Sequence, residues 1–128
     1  NFVTDLQYGR FSLDILRLED FKAFIELLQA RGIILICFIP PFHSCVLEAG
    51  AADADGTPEH DYQKLTERLL KMQQEYNNYY FWDINQVYRH SFKDTDFADF
   101  DHLNSSGAGK LSEILFRKTG ELLNKEED

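Results

Sequence analysis

Arg31 to Pro41 read RGIILICFIPP, and the structure assigned to this stretch decides the fold. Ile33 to Ile39 are seven consecutive apolar residues rich in β-branched side chains, with none of the polar alternation of a strand that keeps one face wet. The run predicts a strand buried on both faces of a parallel sheet. Gly32 supplies the left-handed conformation that closes a preceding helix. Pro40 and Pro41 end the run, because proline cannot donate to a sheet ladder.

Working outward, Leu18, Phe21, Phe24, Ile25 and Leu28 recur at helical spacing with charged and polar residues between them, which predicts an amphipathic helix ending at Gly32. Phe42 to Gly56 has no periodicity and reads as a long loop. Thr57 as N-cap and Pro58 at the first helical position then open a second helix, with Tyr62, Leu65, Leu69, Met72 and Tyr76 as its apolar stripe. Tyr79 to about Asp83 is a short aromatic strand. A second long loop runs from Ile84 to about Asn104. A last helix opens at Ser105 or Ser106, burying Leu111, Ile114, Leu115, Leu122 and Leu123. Alternating helices and strands predict an α/β fold with parallel strands joined by right-handed crossovers. Two strands make a poor sheet, even if FVTDLQY (Phe2 to Tyr8) adds an edge. Further strands are therefore expected from a missing N-terminal part or from a partner chain.

The chain has 128 residues, one domain's worth, with 44% hydrophobic and 14% aromatic residues, enough for a core without metals or disulfides. The net charge of −9 demotes nucleic acid as a partner, since phosphate recognition needs clustered Lys and Arg. No run approaches the roughly 18 apolar residues of a membrane span, and the first residues lack a signal-peptide pattern. The absence of an initial methionine is consistent with a segment of a longer protein. Asn124 to Asp128, NKEED, read as an acidic, frayed tail. The two cysteines, Cys37 in the apolar run and Cys45 in the loop after it, leave both a disulfide and the redox compartment open.

In parallel α/β sheets, the loops leaving the carboxyl ends of strands share one rim, and ligands bind there. That places His43, Ser44, Asp83, Asp99, Asp101 and His102 in one neighbourhood. Asp99 and His102 have the spacing D-x-x-H just before a helix. An aspartate so placed can accept a hydrogen bond from one ring nitrogen and leave the other as a base. The competing assignment is that the aspartates cap turns and the histidine is merely exposed.

The block DFADFDHLNSSGAGKL, Asp96 to Leu111, resembles the final block of the SGNH/GDSL hydrolase superfamily. Its D-x-x-H-L-N-x-x-G form is similar to that of bacterial SGNH-like proteins that add or remove acyl groups on cell-envelope polymers. The resemblance extends from Leu18 to Leu123. It implies a partial flavodoxin-like α/β/α layer whose N-terminal part lies elsewhere, with His102 as general base and Asp99 orienting it. It also implies an acyl ester substrate, with a carbohydrate-linked ester as one form, a periplasmic or cell-envelope setting, and no cofactor. His43 and Asn104 are the candidate substrate-binding residues, and turn formation or helix capping is the alternative for Asn104. The chain departs from the family in lacking the G-D-S-type nucleophile block and the glycine and asparagine of the oxyanion hole. The serine is therefore expected upstream, and this segment alone is expected to be nearly inactive. Ser44 follows a strand but lacks the tight glycine turn that exposes a nucleophile, and Ser105 and Ser106 read as helix caps.

Two other classes compete. Asp94, Asp96, Asp99 and Asp101 could offer oxygens to calcium, but the EF-hand pattern is missing. His43, His60, His90 and His102 lack zinc spacing, so no metal site is assigned, and Asp94 and Asp96 read as solvated loop residues. A non-catalytic α/β interaction or glycan-binding module would use the aromatic cluster YNNYYFWD and the unpaired sheet edge, although most of those aromatics read as core.

Overall fold

A computed structural model describes residues 18–126 of the chain. The order is α1 (Leu18–Ala30), β1 (Leu35–Ile39), α2 (Ser44–Glu48), α3 (Glu59–Glu75), β2 (Tyr79–Asp83) and α4 (Ser105–Glu126), with 3-10 turns at Gln86–Tyr88 and Asp94–Asp96 in the loop before α4. β1 and β2 pair in parallel as a two-stranded sheet, from Leu35 opposite Tyr79 to Ile39 opposite Asp83. The fold is thus α/β. The FVTDLQY strand expected at Phe2 to Tyr8 lies outside the described residues. No described helix is long and apolar enough to cross a membrane.

Side chains alternate across a strand, and the two core clusters follow that alternation. On one face, Leu35, Cys37, Ile39, Tyr79 and Phe81 pack with Ile25 and Phe21 of α1, with Leu69 and Met72 of α3 and with Tyr76 just after it. Trp82 points the other way and joins Ile84, Phe92, Phe97, Leu103 and the α4 residues Leu111 and Ile114. The α1 terminus closes as the spacing predicts. Gly32 has φ 67, and the N–H groups of Gly32 and Ile33 donate to the carbonyls of Gln29 and Leu28 at 3.0 and 2.9 Å. Asn78 then ties this corner to the sheet by donating to the carbonyls of Ile25 and Ile33 at 3.2 and 3.1 Å.

Several local expectations are corrected. The strand is not buried on both faces: Phe38 is 39% exposed, because among the described residues β1 has a strand neighbour on one side only. The loop after it contains α2, opened by His43, whose Nδ1 accepts the Cys45 N–H at 3.1 Å. Thr57 does not cap α3. The helix begins at Glu59, while Thr57 is buried and donates its N–H to Asp53 Oδ1 at 3.0 Å. Ser105 and Ser106 do not cap α4, a role taken by Asn104. Leu123 is exposed while Leu122 is buried. Asn124 to Glu126 belong to α4, so the tail's first residues are helical. Cys37 and Cys45 are both free thiols.

Candidate functional site

The loops from the carboxyl ends of β1 and β2 meet directly: the His43 N–H donates to the Phe100 carbonyl at 3.1 Å. The His43 ring packs edge-on against Phe97, with centroids 5.5 Å apart. Between the loops lies an open hollow of about 160 Å³ lined by His43, Cys45, Phe97, Ala98, Asp99 and Phe100. The rim therefore brings His43 and Asp99 together. Asp83 goes elsewhere. Its Oδ1 accepts the Tyr62 hydroxyl at 2.6 Å and the Gln86 N–H at 2.9 Å, and it lines a separate hollow with Glu59, Gln63 and Arg89.

Asp99 to His102 form a tight turn held by the Asp99 side chain. Asp99 Oδ1 accepts the N–H groups of Asp101 and His102 at 3.1 and 2.8 Å, the local side-chain-to-backbone pattern that aspartate favours. The Ala98 N–H donates back to the His102 carbonyl at 2.8 Å, and Phe97 and Leu103 pair as an antiparallel bridge. The turn folds the His102 ring over the carboxylate that made it. Nδ1 of His102 lies 2.9 and 3.0 Å from the two oxygens of Asp99 and 2.7 Å from Oδ1 of Asp101.

Among the described residues nothing bonds to Nε2, and the side chain is 72% exposed. The hydrogen bond to Asp99, followed by the charges of Asp101 and Asp99, raises the His102 pKa above its ordinary 6.5. Burial pushes the Asp99 carboxyl up, but the Asp101 N–H, the His102 ring and the His102 N–H outweigh it and hold it at about 2. Burial and the neighbouring Asp99 push the Asp101 carboxyl up. The result is an anchored imidazole with one nitrogen facing a carboxylate pair and the other free to take a proton. Asp99, Asp101 and His102 place one ligand atom each within 4.8 Å of one another.

The acidic residues upstream have other partners. Asp96 corrects the expectation of a solvated loop residue, being 3% exposed. Its carboxylate accepts the Lys93 N–H at 2.9 Å, the Ser106 hydroxyl at 3.0 Å and Lys110 Nζ at 2.6 Å. Asp94 is exposed and accepts the Ser44 hydroxyl at 2.9 Å, with His43 Nε2 at 3.7 Å from its other oxygen. Ser44 is thus bonded to a carboxylate and not to an imidazole. Burial, then Glu48 and Asp94, raise the Cys45 thiol pKa, which works against a thiolate nucleophile there.

Asn104 uses both ends of its amide internally. Oδ1 accepts the N–H groups of Ser106 and Gly107 at 3.0 and 3.1 Å, and Nδ2 donates to the Thr95 carbonyl at 2.7 Å. It caps α4 and pins the acidic loop to it. His60 is exposed at the start of α3. His90 is partly buried against Phe92, with Nε2 2.9 Å from the Phe42 carbonyl.

Sequence reasoning missed Asn85. It is fully buried, accepts the Phe42 N–H at 3.2 Å, donates to the Ala52 carbonyl at 2.8 Å and touches the Tyr62 hydroxyl at 3.4 Å. It locks the β1 loop to the end of β2, so it fixes the rim on which the site stands. The only sequence signal was an asparagine two residues past a strand end, which is indistinguishable from a turn residue.

No family model matches the chain, and neither a curated protein nor a solved structure does.

Proposed function

We propose that this chain is the C-terminal part of an SGNH-like esterase or O-acyltransferase, with a flavodoxin-like α/β/α layering completed by strands beyond the described residues. The observation that carries the proposal is the Asp99–His102 pair, bonded at 2.9 Å with Nε2 unengaged, on the rim at the carboxyl ends of two parallel strands. A serine hydroxyl supplied upstream would attack the ester carbonyl and give its proton to Nε2. Collapse of the tetrahedral adduct would expel the alcohol, which takes that proton back. Water or an acceptor hydroxyl would then repeat the sequence on the acyl-serine. Asp99 would hold the imidazolium throughout without itself being protonated. The apolar hollow beside Asp99, with His43 on its wall, suits a short acyl group, and a carbohydrate hydroxyl is the acyl carrier the resemblance suggests.

The test is hydrolysis of a generic acetyl ester by the full-length protein. His102→Ala should abolish it, and Asp99→Asn should cut it sharply. Retention of full activity in His102→Ala removes the base assignment.

A second reading, a partner- or glycan-binding α/β module, draws on different residues. β1 has a free edge among the described residues, and Phe38 beside it and Phe116 on α4 are exposed. Exposed apolar side chains beside an open edge suit strand addition by another polypeptide. An inactive full-length protein whose binding partner is lost on Phe38→Ser would favour this module over the enzyme.

A further inference from the structure

We propose that Asp101 is a second positioning residue for the His102 imidazole, gripping the same ring nitrogen that Asp99 holds and keeping the ring in the tautomer that leaves Nε2 free. The inference concerns the ring's geometry and charge. Its consequence for catalysis rests on the function proposed above.

The need for a second grip comes from exposure. The His102 side chain is 72% exposed, so packing does little to fix its torsions, and a single carboxylate permits the ring to rock about the bond. Asp101 Oδ1 lies 2.7 Å from Nδ1, as close as either oxygen of Asp99. The turn explains how residues one and three positions away reach the same atom. By accepting the N–H groups of both Asp101 and His102, Asp99 Oδ1 curls the backbone and brings the two side chains to one side. An imidazole between two carboxylates is confined to the orientation that serves both. Its Nδ1 must then carry the proton, because both neighbours are acceptors.

The same arrangement sets the charge. The charged groups acting on the ring are Asp99 and Asp101, both on its own loop, and both favour its protonated form. Among the described residues, Lys110 near the start of α4 is paired with Asp96 at 2.6 Å. With two anions facing one ring, the imidazolium is held more firmly than in a one-carboxylate dyad, which makes the neutral ring a stronger base. Asp101 thereby sets the pH above which the base is available.

Nitrogen-15 NMR of the histidine rings tests the proposal on this chain. In the wild type, His102 should titrate above 6.5 and show Nδ1–H as the dominant neutral tautomer. Asp101→Asn should lower the midpoint and increase the Nε2–H tautomer, and Asp101→Glu should restore both in part. An unchanged midpoint and tautomer ratio in Asp101→Asn overturns the proposal. If that variant disturbs the turn, seen in the Ala98 and Asp99 amide resonances, Asp101→Ser repeats the removal of charge with a smaller polar group and is judged by the same two readouts. A shifted ring in Asp101→Asn combined with undiminished ester hydrolysis in His102→Ala would keep the positioning role and discard His102 as the catalytic base.

Discussion

Lys110 Nζ lies 2.6 Å from Oδ2 of Asp96, a carboxylate that is 3% exposed and fourteen residues earlier in the chain. This pair fastens the loop that carries Asp99 and His102 to the first turns of α4. The Lys110 hydrogen bond, aided by the Lys93 N–H and opposed by burial, holds the Asp96 carboxyl at about 2, below its ordinary 3.8. A depressed carboxyl contributes stability that is complete above about pH 4 and is lost as the pH falls through its folded value near 2. Lys110→Met should lower the melting temperature at neutral pH and flatten its acid dependence between pH 4 and 2, measured by circular dichroism. An unchanged acid profile would show that the pair does not fasten the loop.

Gly107 and Gly109 should respond oppositely to alanine. A Cβ on Gly107 would run into the Asp96 carbonyl oxygen and come within 2.7 Å of Leu103 Cδ2, while one on Gly109 would meet nothing within 4 Å. Gly107→Ala should cost about 1–3 kcal/mol by overpacking, whereas Gly109→Ala should gain up to about 1 kcal/mol from helix propensity. Urea melts of the two variants decide it.

Asn85→Ala should destabilise the chain by roughly 2–3 kcal/mol, since it leaves the Phe42 N–H and the Ala52 carbonyl without partners in a buried setting. Tyr62→Phe, which removes the 2.6 Å bond to Asp83, should cost only about 1 kcal/mol. If the asparagine variant is the milder of the two in urea, the rim is held by the tyrosine and not by the amide.

Ile25 and Phe116 mark the two extremes of the helix surfaces. Ile25 is fully buried in the α1–sheet cluster, and Phe116 is 84% exposed on α4. Ile25→Ala should cost about 2–5 kcal/mol. Phe116→Glu should stay within about 0.5 kcal/mol of wild type. A large loss in the second variant would mean that Phe116 is covered in the folded protein in solution.

The backbone elements other than α2, which lay in a stretch without periodicity, were legible because their signals are local. The periodicity of Leu18 to Leu28, the glycine at Gly32, the apolar run with its prolines and the aromatic strand at Tyr79 each depend on neighbours a few residues away. What failed was the assignment of caps and burial in the loops. Thr57 and Asp96 belong to residue types that serve equally as turn, cap or solvated surface, whereas the capping role read for Asn104 beside a substrate-binding one is the role it takes. Thr57 is buried with its backbone bonded to Asp53 and Ala52, and Asp96 is buried with its carboxylate bonded to Ser106 and Lys110 of α4. Neither set of partners is visible from the residue itself.

By itself the sequence determined an α/β chain with parallel strands, placed Asp99 three residues before His102, and set both on a loop following a strand. Those properties follow from hydrophobic period, turn chemistry and chain order. Only the tertiary structure decided that Asp96 is a buried ion-pair partner, that Asn85 locks the rim, and that Asp101 faces the same nitrogen as Asp99. The physical reason is that a polar side chain's role is fixed by which distant groups desolvate it and which donors reach it, and these are properties of the packed chain.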